Sequence, residues 1–206
     1  MKLFYGVGIN DLKDDPSYIT LKKINGKEVW RCPFYRRWKQ MLFRCYSKKS
    51  LQKSPSYQGC SVCEEWKTFS NFMAWMKTQS WEGKQLDKDI LIPGNKVYSP
   101  ETCVFLSQKV NNLILNGESV RGDLPIGVFM SKEKRQKKFR VLINKYGKRC
   151  CIGYFDTPEE AYEAYKKERN KYILEVAENL TEDDTSDIEK TRQGLIRHVK
   201  EGLIFK

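Results

Sequence analysis

Histidine is what this chain has least of: one residue, His198, among 206. No run of about 18 apolar residues occurs, which excludes a membrane-spanning helix. The amino terminus, Met1 to Val7, has too short an apolar run and no small-residue cleavage site to read as a secretory signal, so the expected place is the cytoplasm. The seven cysteines (Cys32, Cys45, Cys60, Cys63, Cys103, Cys150, Cys151) form an odd set. In a reducing compartment such a set argues against a disulfide framework and leaves metal binding or plain core burial. No repeat and no low-complexity tract is visible, so solenoids and linker arrays drop out. Acids are scarce as well, 26 against 38 Lys and Arg for a net charge of +12, which makes a polyanion the expected partner.

With 40% hydrophobic and 13% aromatic residues the chain can bury one or two modest cores, arranged as two small domains. Residues 1 to 30 read as a short β element and turns, with Asn25-Gly26 as a turn signal and no chemistry. Tyr35, Trp38, Leu42 and Tyr46 recur at helical spacing from Phe34 onward. A second helix is predicted over Glu64 to Lys77, burying Trp66, Phe69, Phe72, Met73 and Met76. Strands follow around Gln85 to Leu91 and Tyr98 to Leu106, and Ser107 is placed to cap a short helix that Asn116-Gly117 ends. Residues 116–123 read as a linker. After an acidic break at Glu182 to Asp187, Ile188, Leu195, Ile196 and Val199 mark an amphipathic docking helix.

Between Arg121 and Phe155 there are ten Lys or Arg against Asp123 and Glu133. Phe139, Val141 and Ile143 alternate toward one face of a strand, Lys138, Arg140 and Leu142 toward the other. A turn leads into Arg149-Cys150-Cys151-Ile152-Gly153-Tyr154-Phe155. Thr157 then caps a helix with Pro158 at its first position and Glu160 completing a capping box. This order resembles the Apetala-type DNA-binding domain of plant ethylene-response factors and of many phage and mobile-element nucleases. The resemblance implies a three-stranded sheet packed on one helix and gripping double-stranded DNA. Phe129-Met130 stand where the plant domains have base-reading arginines, so the plant sequence preference does not carry over. Arg140, Arg149, Lys138 and Lys148 remain as candidate base readers, with Lys134, Arg135 and Lys137 on phosphates.

Upstream, Trp38-Lys39-Gln40-Met41-Leu42-Phe43-Arg44-Cys45, Val62-Cys63-Glu64-Glu65-Trp66 and Leu86-Asp87-Lys88-Asp89 occur in order. Gly94-Asn95, Tyr98-Ser99-Pro100-Glu101-Thr102-Cys103 and Asn111 follow. Together these resemble phage HNH-type (His-Me finger) endonucleases over residues 34–112. The resemblance implies a degenerate ββα-metal domain in an α+β chain, and a metal-dependent, homing-type DNA endonuclease at work in an infected bacterial host. Asp87, Lys88, Asp89 and Asn111 are its implied catalytic set. Asp87 and Asp89, on one face of a strand, could share a magnesium ion that Asn111 would complete. Such nucleases use a histidine as general base. Lys88 stands near that place and suits a phosphate clamp better than a base. Thr102 replaces the family's Asn after Pro-Glu. The other reading is a catalytically inactive DNA-binding protein that keeps the fold. Cys60 and Cys63 form one CxxC, which Cys45 and Cys103 could complete around a structural zinc, with buried core thiols as the alternative.

The expected organisation is therefore an HNH-like domain with an amino-terminal extension over 1–115, the linker, an Apetala-type domain over 124–177, and a tail over 178–206. A monomer is expected.

Overall fold

The computed structural model describes residues 3–16, 18–114, 123–131 and 138–203. They form a mixed α+β chain of helices and small sheets, and none of the described helices is long and apolar enough to cross a membrane.

A hairpin of β1 (Leu21–Ile24) and β2 (Lys27–Arg31) turns at Asn25 and Gly26, both at positive φ, as a two-residue hairpin loop requires. Helix α1 (Pro33–Tyr46) starts with proline at its first position, where the missing N–H costs nothing, and buries Tyr35, Trp38, Met41, Leu42 and Cys45. A short α2 (Lys48–Lys53) and a 3-10 turn at Pro55–Tyr57 lead to β3 (Ser61–Val62).

The helix expected from Glu64 to Lys77 is two helices, α3 (Glu64–Lys67) and α4 (Phe69–Lys77), with Thr68 extended between them. The cause is tertiary. The Ile9 backbone runs alongside, giving its N–H to the Lys67 carbonyl and accepting from Phe69, so the chain pairs there instead of continuing a helix. Trp38, Trp66, Phe69, Phe72, Met76 and Phe105 fill this first core, and the Trp38 indole donates to the Trp66 carbonyl.

Strand β4 (Gln85–Asp87) pairs antiparallel with β6 (Val104–Leu106), while β5 (Val97–Tyr98) pairs in parallel with β3. Helix α5 (Gln108–Ile114) follows β6 directly, with Ser107 Oγ accepting from the Val110 N–H at 3.4 Å. The predicted strand, loop, strand, helix order is kept by β4, β6 and α5, but the first strand stops at Asp87 instead of running to Leu91, and the second, expected over Tyr98 to Leu106, is divided by a turn at residues 99–103 into β5 and β6, which pair in different sheets.

The three-stranded sheet, β7 (Val128–Met130), β8 (Phe139–Lys145) and β9 (Lys148–Phe155), is antiparallel in that order. Helix α6 (Pro158–Glu178) covers one face of it, and Thr157 Oγ1 caps its start by accepting from Glu160. Gly127, at φ +77°, is required twice: by its left-handed backbone, and because a Cβ there would fall 2.2 Å from the Tyr165 ring.

With 21 residues α6 is about 30 Å long and serves two cores. Ala161 and Tyr165 sit under the sheet with Val128, Val141 and Ile143. Tyr172, Ile173, Val176 and Ala177 pack instead against Ile90, Val104, Leu106, Val110 and Leu113 of the ββα unit. The expected domain, ending at residue 177, thus shares its helix with the core of the ββα unit, and the linker at 116–123 lies, except for Asp123, outside the described residues.

The tail also joins this core. Residues 184–186 lie along β6, with Ser186 donating to the Phe105 carbonyl and Ser107 to that of Asp184. Helix α7 (Ile188–Lys200), capped by Asp187, buries Thr191, Gly194, Leu195 and His198.

Candidate functional site

Register decides which basic side chains share a face. Val141, Ile143 and Lys145 turn toward α6, the first two buried and the third ion-paired with Glu168. Arg140, Leu142 and Asn144 therefore turn outward, and their partners Tyr154, Cys151 and Arg149 turn outward with them, as does Phe129 opposite Arg140. The bulge between Val141 and Leu142 absorbs Ile152 and keeps this alternation on both sides of it. The Arg140 guanidinium lies 5.9 Å from the Tyr154 ring centre, and that of Arg149 5.1 Å from Phe129. Each aromatic ring lies against a planar, five-donor cation, the Arg149–Phe129 pair exposed and the Arg140–Tyr154 pair half-buried.

Lys138, exposed, immediately precedes β8. Lys148 faces Lys145 across the hairpin and so has the opposite register from Arg149. Lys134, Arg135 and Lys137 lie outside the described residues. Leu142 lies on this face as its alternation predicted, whereas Phe129, Tyr154 and Asn144 were missed as members of it. Strand periodicity carried the signal for Leu142 and Asn144, whereas Phe129 and Tyr154 needed the pairing register. Beside Arg149 a cleft of about 710 Å³ runs between α5, the β8–β9 hairpin and α6, with Lys109, Tyr146 and Arg169 in its wall. Arg169 is committed there to the Asn112 and Leu113 carbonyls at the end of α5.

The second constellation is the turn after β4. Asp87 Oδ1 accepts the backbone N–H of Asp89 at 2.9 Å and of Ile90 at 2.7 Å, which bends the chain out of the strand. The expectation that Asp87 and Asp89 lie on one face of a continuous strand is corrected by this turn. Burial pushes the Asp87 carboxyl above its ordinary range, opposed by those two amides and reinforced by the charge of Asp89.

Lys88 is 4% exposed; its ammonium donates to Asp89 Oδ1 at 2.5 Å and to the Asn95 carbonyl at 2.7 Å, over the Tyr98 ring. Burial works to lower its pKa, but the bond to Asp89 and the neighbouring negative charges outweigh burial and raise it, so the group is a held cation and no base. Placed inward, it differs from the phosphate clamp expected of it. Asn95, named in the nuclease-like string without a role of its own, closes the loop: its amide donates to the Lys88 carbonyl at 3.0 Å and to that of Val97 at 2.6 Å. Asn111 turns its amide to Gln85 at 3.4 Å, and Gln85 also bonds Gln108.

His198 is not remote. Its Nε2 lies 3.2 Å from the Asp89 carbonyl oxygen, Arg197 donates to the Leu91 carbonyl at 2.9 Å, and Gly194 abuts Ile90. Three successive residues of the carboxylate turn are thus held by α7.

Among the described residues no three His, Cys, Asp or Glu side chains gather as a metal-ligating group. Cys45, Cys60 and Cys103 are buried in the first core and Cys63 is at its margin, all as free thiols. Burial pushes Cys45 and Cys103 up to about 12, so as free thiols both are protonated at neutral pH. For magnesium the carboxylate donors of this turn are Asp87 and Asp89. Both hydrogen bonds to Asp87 fall on Oδ1, and hard carboxylates with water and phosphate are the usual company of that ion. Compared with family models, with curated proteins and with solved structures, the chain matches none.

Proposed function

We propose that this is a DNA-binding protein of the phage or mobile-element kind, which grips duplex DNA with the outward face of β7, β8 and β9. The observation that carries the reading is the pair Arg140 and Arg149, both outward on adjacent strands and both backed by an aromatic ring. A twisted sheet of this width enters the major groove, where arginine reads guanine by two parallel hydrogen bonds. The remaining positive charge supports phosphate contact along the flanks.

Within that reading, the ββα unit is an HNH-like, magnesium-dependent DNA endonuclease. Its support is the placing of Asp87 and Asp89 where β4 ends, beside β6 and α5. Magnesium, when bound there, would polarise the scissile phosphate. The chain's own part is to hold two carboxylates in a fixed turn: Lys88 neutralises Asp89 from inside, Asn95 ties the loop, and α7 holds the backbone. A second reading, DNA binding without cutting, is favoured by Lys88, which stands at the place of the base and is buried and ion-paired.

The experiment uses the full chain, because a fragment of the sheet and α6 would expose Tyr172, Ile173 and Val176. Duplex affinity is measured across a salt series and nicking of supercoiled plasmid with magnesium or EDTA. Salt-dependent binding with magnesium-dependent nicking supports both parts. Binding without nicking leaves the second reading, and no binding at low salt overturns the proposal.

A further inference from the structure

We infer that the β1–β2 hairpin is a second DNA-contacting element, a basic ribbon that lies in a groove of the same duplex. The inference rests on the DNA-binding reading above but on different residues. The two strands pair with each other and with no third strand among the described residues. An isolated two-stranded ribbon is marginal in water, and this one leaves apolar groups in solvent: Ile24 is 63% exposed, Val29 54% and Trp30 43%.

Register sorts these side chains. Lys22 pairs with Trp30 and Ile24 with Lys27, so all four share one face, while the bulge at Lys22/Lys23 absorbs Val29. The Lys22 ammonium lies 5.8 Å from the Trp30 ring centre, which confirms that face. The segment from Leu21 to Arg31 carries Lys22, Lys23, Lys27 and Arg31 against Glu28. A protein partner reached by an apolar patch alone would not require that surplus, whereas phosphates on either side of a groove complement it.

The base of the ribbon is anchored. Cys32 donates its N–H to the Thr20 carbonyl at 3.0 Å and its thiol meets the Tyr18 hydroxyl, both at the edge of the first core. The ribbon thus projects from a fixed root, its width suits a major groove, and its aromatic and aliphatic tips would lie against sugars and bases.

The test uses the full chain with a labelled duplex. Lys22→Ser with Lys27→Ser is expected to lower the magnitude of the salt slope by about 2, one for each lost phosphate contact. Trp30→Ala is expected to weaken binding about tenfold at constant salt, and Lys77→Ser on α4 serves as the surface-charge control. Because the ribbon lies outside the cores, unchanged thermal unfolding is the fold check, and the double lysine variant stands if Trp30→Ala fails it. Wild-type affinity and slope in the ribbon variants, beside a loss in Arg149→Ala, overturns this inference and leaves the sheet reading intact. No duplex binding by the wild type overturns both. A wild-type dimer that Trp30→Ala dissociates, with DNA affinity unchanged, assigns the ribbon to a second copy of the chain and overturns it too.

Discussion

The Nε2 of His198 lies 3.2 Å from the carbonyl oxygen of Asp89, across 109 residues of chain. The contact makes the carboxy-terminal helix part of the carboxylate turn. It sets the chain's one histidine beside the turn that carries Asp87 and Asp89, far from it in linear order.

Replacing His198 with alanine removes a buried partner of a backbone carbonyl and is expected to destabilise the chain by about 1–2 kcal/mol. Gly194→Ala is expected to cost about 1–3 kcal/mol, because a Cβ would fall 2.4 Å from the Ile90 carbonyl oxygen, which is backbone and cannot turn aside. Chemical denaturation measures both. Wild-type midpoints in the two variants would mean that α7 does not dock on this turn.

Arg140→Ala and Arg149→Ala are expected to relax sequence discrimination, each by about 1–3 kcal/mol at one position of the site. Lys138→Ala should weaken all sequences alike, as a phosphate contact does, whereas Lys148→Ala, on the opposite register from Arg149, should change binding least. Selection from a random duplex pool distinguishes the two classes. Uniform, sequence-independent losses in all four would remove the base-reading role from the arginines.

Asp87→Asn keeps an oxygen for the Asp89 and Ile90 amides while removing the charge. It is expected to abolish magnesium-dependent nicking and leave duplex affinity within about twofold. Asp87→Ala should in addition loosen the turn, by about 1–3 kcal/mol. Nicking by Asp87→Asn at the wild-type rate would place the metal elsewhere.

Lys145 on β8 is ion-paired with Glu168 on α6, and the hydrogen bond from Lys145 holds the Glu168 carboxyl below its ordinary range. A depressed carboxylate contributes stability above its unfolded pKa and loses it as pH falls through the folded one. Glu168→Gln is therefore expected to unfold more readily than wild type near pH 7, by about 0.5 kcal/mol for a partly exposed pair. The difference should vanish in acid, below the depressed folded value. Unfolding curves at pH 7 and in that acid range check it, and an equal deficit at both would exclude an ionic cause.

The periodicity of Tyr35, Trp38 and Leu42, the Thr157-Pro158-Glu160 cap and the alternation along Phe139 to Ile143 were legible from the amino acids. Each is set by neighbours a few residues away, and local sterics or one buried face decides it. The break at Thr68 was not legible, because the competing hydrogen bonds come from Ile9. Nor was the inward turn of Lys88, which depends on the Asn95 carbonyl meeting its ammonium.

By itself, the sequence determined a positively charged α+β chain, the basic hairpin with its capped helix and the alternation that puts Arg140 on an outward face. Only the tertiary structure decided that α6 serves both cores, that Arg149 shares the face of Arg140 while Lys148 does not, and that α7 returns to hold Asp89, Ile90 and Leu91. The reason is range. Propensity, capping and alternation act over one or two turns of chain, whereas strand register and helix docking are settled by burial between segments that the linear order keeps far apart.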